Sequence, residues 1–81
     1  MSKRLATLSL FIEDNSVTEQ VNLILHDFSE HIVGRMGIPY RERGIAVISI
    51  IIDAESDIIN QLSGKLGMVK GITSKTIFSK V

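Results

Sequence analysis

This chain predicts an α+β fold, a four-stranded antiparallel sheet carrying two helices on one face. Three observations lead there. Apolar residues recur with a period of two in four segments and near 3.6 in two others, in the order strand, helix, strand, strand, helix, strand. One strand segment, "IAVISIIID", is apolar on both faces, as a central strand is. The chain has 81 residues, which suits a single domain over 1–81 with one modest core. Hydrophobic residues make up 44% of it and aromatic residues 5%, so that core is aliphatic.

Residues 5–12 form the first strand. Ala6, Leu8, Leu10 and Ile12 alternate with Leu5, Thr7, Ser9 and Phe11, and the wholly apolar first set should face the core. In "EDNSVTEQVNLILHDF" the period changes. Val17, Val21, Ile24, Leu25 and Phe28 fall on one helical face, with Glu19, Gln20, Asn22 and His26 opposite. Ser16 and Glu19 have capping-box spacing, which starts the helix at Ser16 or one residue before. "HIVGRMG" is a weaker second strand, and Gly34 inside it predicts a bulge or a close backbone approach.

"IAVISIIID", residues 45–53, is the third strand. It sets Ala46, Ile48, Ile50 and Ile52 on one face and Ile45, Val47 and Ile51 on the other. In "DAESDIINQLSGKLG" the second helix takes Asp53 as N-cap, with Glu55 and Asp57 in its first turn. Ile58, Ile59, Leu62 and Leu66 make its buried stripe, and Gly67 is placed as the C′ glycine. "GITSKTIFS", from Gly71, is a last strand polar enough for an edge. This order is the split βαβ, or ferredoxin-like, arrangement, with the first and third strands central. It leaves one sheet face bare. Phe11, Val47, Ile51 and Val33 should lie there, and such a patch marks an interface. A homo-oligomer, dimer or tetramer, is expected.

Charge and composition exclude several function classes. Nine Lys and Arg balance nine Asp and Glu, for a formal net charge of +0. A nucleic-acid binder draws its affinity from phosphate neutralisation, so direct nucleic-acid binding is not expected. The chain has no cysteine, which excludes disulfides and thiolate sites and agrees with a cytoplasmic location. Lys3 and Arg4 precede an apolar stretch, but it stops at Glu13 with no cleavage site after it, and no run approaches a membrane span.

Chemistry-bearing stretches are few. "GRMGIPYRERG", residues 34–44, joins the second and third strands. Gly37, Pro39 and Gly44 are turn residues, and Arg41, Glu42 and Arg43 read as solvated turn charges. The same stretch also reads as an anion-accepting rim of Arg35, Tyr40, Arg41 and Arg43, with glycines letting backbone amides approach a ligand. Both readings stand at this level. In "HDFSEH", His26, Asp27, Glu30 and His31 are ligand types for a metal, but their spacing matches no ligand motif, and polar residues at a helix end explain them equally well. A metal shared between subunits stays open at this level, beside a small anionic ligand at the same interface. "GKLGMVKG" lacks the Walker pattern. Ser9, Ser49 and Ser74 have no evident His and carboxylate to activate them, so no catalytic residue is assigned. The residues name no cofactor.

Two stretches carry a family resemblance. "VGRMGIPYRERGIAVISIIIDA" followed by "LSGKLGMVKGITSKT" closely resembles the small ACT-like proteins of the iron-only hydrogenase system regulator family, across nearly the whole chain. The resemblance implies a non-enzymatic regulatory role, an ACT-like fold related to the sensor domain of the nickel-responsive repressor, oligomerisation, and a small-molecule ligand or a protein partner. ACT domains often bind small molecules at a subunit boundary near the first strand-helix turn. Here that turn is Glu13, Asp14, Asn15 and Ser16, which makes Asp14, Asn15 and Ser16 candidate ligand residues. Many amino-acid-binding ACT domains have glycine where Ser16 stands, a departure that counts against an amino-acid ligand. The nickel-repressor likeness lacks its cysteine ligand, and the four residues before the first strand leave no room for a DNA-binding arm. Regulation of transcription would then need a partner.

Overall fold

The computed structural model describes residues 2–81. Its elements are β1 (Arg4–Ile12), α1 (Thr18–Asp27), β2 (Ile32–Tyr40), β3 (Ile45–Ala54), α2 (Ser56–Gly67) and β4 (Ile72–Phe78). The sheet runs β2-β3-β1-β4 with every pair antiparallel, so β1 and β3 are central as the apolar pattern predicts. This is the ferredoxin-like α+β fold. Both helices lie on one face. The Arg35 Nη2 to Asn22 Oδ1 bond, 2.9 Å, ties β2 to α1, and the Thr76 Oγ1 to Ser63 Oγ bond, 3.0 Å, ties β4 to α2.

Strict alternation builds the core. Ala6, Leu8, Leu10 and Ile12 from β1 and Ile48, Ile50, Ile52 and Ala54 from β3 are buried beneath Val21, Leu25 and Phe28 of the first helical segment and Ile59, Leu62 and Leu66 of α2. Burial of this kind is worth roughly 1.5–3 kcal/mol per large aliphatic side chain. No polar residue is buried among those described, so the core between the two layers is wholly apolar and the hydrogen bonds that link them lie outside it.

Four local expectations change. The first helix is not opened by a Ser16–Glu19 capping box. The Asp14 carboxylate accepts from Ser16 N (2.9 Å) and Ser16 Oγ (2.7 Å), and a 3-10 turn over Asn15–Val17 leads into α1. The Asp14 carboxylate takes the Ser16 N–H that a capping-box Glu19 would have accepted from. At α2, Asp53 is not the N-cap. It pairs with Leu5 in the ladder, Ala54 packs into the core, and Glu55 takes the cap position. Gly67 is the last residue of α2 and not a left-handed C′ glycine. Met68 follows in right-handed geometry (φ −86), and the positive φ falls at Gly71 (φ 89).

The fourth change is the hairpin. β2 continues to Tyr40, paired with Ile45, so Gly37 and Pro39 are strand residues. An edge strand tolerates proline because one side of its ladder needs no donor. Only the 3-10 turn Arg41–Arg43 and Gly44, at φ 66, make the connection.

The bulge expected at Gly34 is present. Ile32 pairs with Ile52 but Gly34 pairs with Ile51, which leaves Val33 as the extra residue, 66% exposed. One inserted residue reverses the parity of everything after it. Arg35, Gly37 and Pro39 therefore share the helix side with Ile32, while Met36, Ile38 and Tyr40 join the open face.

Candidate functional site

The first turn is held in place by the far end of the chain. Glu13 N and Asp14 N both donate to Gly71 O, at 2.8 and 3.0 Å. A Cβ on Gly71 would lie 2.6 Å from Asp14 Cβ, so only glycine permits this approach, quite apart from its φ of 89°. The hydrogen bonds from the Ser16 hydroxyl and then the Ser16 amide hold the Asp14 carboxyl below its ordinary pKa of 3.8. Asp14 and Ser16 thus satisfy each other and fix the turn, and Asn15 between them is left to face outward.

Across from Asn15 stands the hairpin. A cleft of about 440 Å³ is lined by Asn15 and Thr18 on one side and by Pro39, Arg41, Gly44, Ile45 and Ala46 on the other. Its size falls within the range of small-molecule sites, roughly 300–1,000 Å³. Its polar groups are one amide, one hydroxyl and one guanidinium, set against an apolar wall, an arrangement that suits a small ligand with an anionic group. Ala46 sits opposite Ile12 at the end of β1, so the central strands bring the turn and the hairpin together.

The sequence-predicted residues divide. Asn15 and Arg41 line this cleft, and Asp14 and Ser16 build its turn. Arg43 is not among its walls. A 3-10 turn advances about 120° per residue, so Arg41 and Arg43 in Arg41–Arg43 point different ways. Tyr40 lies on the open face, half exposed. Arg35 lies on the helix side at the other end of β2, bonded to Asn22. The four residues of the predicted rim therefore do not converge. Thr18, Ile45 and Ala46 were not singled out as site residues, and nothing in their spacing sets them apart from helix and strand positions.

In "HDFSEH" the His31 Nε2 to Glu30 Oε1 distance is 3.5 Å, and among the described residues no three His, Asp or Glu side chains gather so as to hold a metal ion. No helix among the described residues is long and apolar enough to cross a membrane.

The open face is a second feature. Cross-strand registers align Ile38, Val47, Phe11 and Thr73 in one row, and Gly34, Ile51, Thr7 and Ile77 in another, with Met36, Ser49, Ser9 and Lys75 between. Phe11 and Ile51 are each 43% exposed, Ile38 48% and Met36 59%. Val47 is half-buried by its neighbours. Val33, also expected on this face, is the extra residue of the bulge and is 66% exposed.

Comparison with known proteins gives a consistent result. Residues 4–76 match a family model described as "TM1266-like: Iron-only hydrogenase system regulator, putative". Among solved structures, the chain is similar to the uncharacterized protein TM1266 from Thermotoga maritima, with 39% identity, 98% of this chain and 100% of that one covered, and a TM-score of 0.92. It is also similar to the ACT domain of GTP pyrophosphokinase from Chlorobium tepidum. One structure of that domain gives 24% identity, coverage of 94% and 100%, and a TM-score of 0.78. A solution structure of it gives 25% identity, coverage of 95% and 89%, and a TM-score of 0.75. No curated protein sequence matches the chain.

Proposed function

Because this chain belongs to the TM1266-like iron-only hydrogenase system regulator family, we propose that it is a non-enzymatic, ACT-like sensor module that binds a small anionic ligand between its first turn and its hairpin. The module works in the cytoplasm as a dimer or tetramer, and the ligand sits at or near a boundary between subunits. The observation that supports this reading is the cleft shared by Asn15, Thr18, Arg41 and Gly44. Folding does not require those polar groups to meet. Asp14, Ser16 and Gly71 shape the turn, and Gly44 alone supplies the left-handed residue of the hairpin.

The apolar rows of the open face supply the surface for assembly. Their burial stabilises by about 25 cal/mol per Å² before the cost of association. Ligand binding near a boundary between copies would then change how the copies associate, which gives a module with no chemistry of its own a way to signal.

A thermal-shift screen of small carboxylates, phosphates and divalent metals tests the reading. Selected anions should raise the melting temperature of the wild type. Arg41→Ala should leave the unliganded protein within about 0.5 kcal/mol of wild type and weaken binding by about 1.5–3 kcal/mol, the range for a charged hydrogen bond. If no compound stabilises the wild type selectively, the sensor reading fails, and a ligand-free adaptor for a hydrogenase-related assembly takes its place.

A further inference from the structure

A larger cleft, of about 510 Å³, lies between α1 and the edge strand β2, at the opposite end of β2 from Arg41. Asn22, His26 and Ser29 line one side and Arg35 the other, with Leu25 and Ile32 also in its wall. We propose that this is a second anion site, taking a small organic anion whose carboxylate or phosphate head binds Arg35.

Three observations carry the assignment. First, the polar residues on the α1 side are spaced 0, 4 and 7 in sequence, so they form one stripe along the helix and the turn after it. All three bring hydrogen-bond donors, and no carboxylate lines the cleft. Second, the guanidinium is held. Its Nη2 donates to Asn22 Oδ1 at 2.9 Å, which leaves its remaining N–H groups to present a planar fork. Third, Arg35 reaches this side only because of the Val33 bulge. Without the register shift between Ile32 and Gly34, alternation would turn Arg35 to the open face and away from α1. Bulges commonly re-aim a side chain in this way beside a functional site.

The C-terminal end of α1 opposes an anion, but that influence fades within the last turn. Arg35 is anchored at Asn22, in the middle of Thr18–Asp27. The cleft is much larger than a bare phosphate needs and has apolar side chains in its wall, so an anion with a compact apolar body fits it better than an inorganic ion.

An NMR titration of the full chain with inorganic phosphate, and separately with acetate, against sodium chloride of equal ionic strength, tests the site and distinguishes the head groups. The expected result is a saturable shift of the Asn22, His26 and Ser29 amides and of the Arg35 side-chain N–H with at least one of the two anions. Arg35→Gln should weaken it by roughly tenfold or more, as loss of a charged hydrogen bond does. Asn22→Ala, which keeps the charge but releases the guanidinium, should weaken it less. Arg41→Ala should leave it unchanged, which separates this site from the cleft at the hairpin. No saturable shift with either anion, or one that persists in Arg35→Gln, would overturn the proposal.

Discussion

The two faces of the sheet are built from the same strands and the same kinds of residue, yet only one of them is covered. On the covered face Leu8, Leu10, Ile50 and Ile52 are fully buried under the helices. On the open face Phe11, Ile38, Ile51 and Ile77 stay exposed. Alternation puts apolar side chains on both, but helices are supplied to only one. Folding is driven by the covered face. The open face leaves its apolar area exposed in the folded subunit, and under the proposed assembly substitutions on the two sides should have different readouts.

The largest effect is expected on the covered side. Leu8→Ala should cost about 2–5 kcal/mol in chemical denaturation, because the removed atoms lose their burial and leave a cavity. A cost below 1 kcal/mol would mean that the helix layer is not packed on β1 as described.

The same contrast between crowded and open positions separates two glycines. Gly71 and Gly44 both have positive φ, but a Cβ at Gly71 meets Asp14 whereas one at Gly44 meets nothing within 4 Å. Gly44→Ala should cost about 1–2 kcal/mol for left-handed geometry alone. Gly71→Ala should cost about 2–4 kcal/mol, because overpacking against the first turn is added. Equal costs would remove the special role given to the Gly71–Asp14 contact.

On the open face the readout changes from stability to assembly. Ile51→Lys, at a position 43% exposed, should alter the stability of the folded subunit far less than Leu8→Ala does, and Val47→Glu, at a half-buried position, should cost more than Ile51→Lys. Either should dissociate the oligomer in light scattering. A wild type that is already monomeric at micromolar concentration would refute the interface.

The smallest effect is the titration of Asp14. Its carboxyl lies below 3.8 in the folded chain because Ser16 donates to its ionised form. Any stability this contributes is present above the unfolded value, and it is lost as the pH falls through the lower folded one. A carbon-detected NMR titration should find Asp14 still ionised where an ordinary aspartate is half protonated, and Ser16→Ala should remove most of that difference.

Fold and site were not equally legible in the sequence. The aliphatic alternation of β1 and β3 and the 3.6-residue stripes of both helices report burial directly, so the fold class, the strand order and the core could be read from them. Local competition could not. Ser16 and Glu19 have capping-box spacing, but whether Asp14 or Glu19 accepts from the Ser16 amide depends on geometry. Pro39 and Gly37 look like turn residues until β3 offers β2 a partner as far as Tyr40. Gly34 signalled a bulge, but a glycine does not reveal that the bulge reverses parity. That reversal sends Arg35 to the helix side and Tyr40 to the open face, but the two, five residues apart on one strand, face opposite ways in either register. Arg41 and Arg43 diverge in the 3-10 turn, so the four residues of the predicted rim do not meet. The meeting of Asn15 with Arg41 is likewise tertiary, since strand pairing brings them together across 26 residues of chain.

The most direct test is native mass spectrometry of the protein purified from its own host, because it reads subunit number and retained small molecules together. A dimer or tetramer carrying a small-molecule mass, with that mass lost in Arg41→Ala, is the expected result. A bare monomer at micromolar concentration would contradict both the assembly through the open face and the ligand at the hairpin.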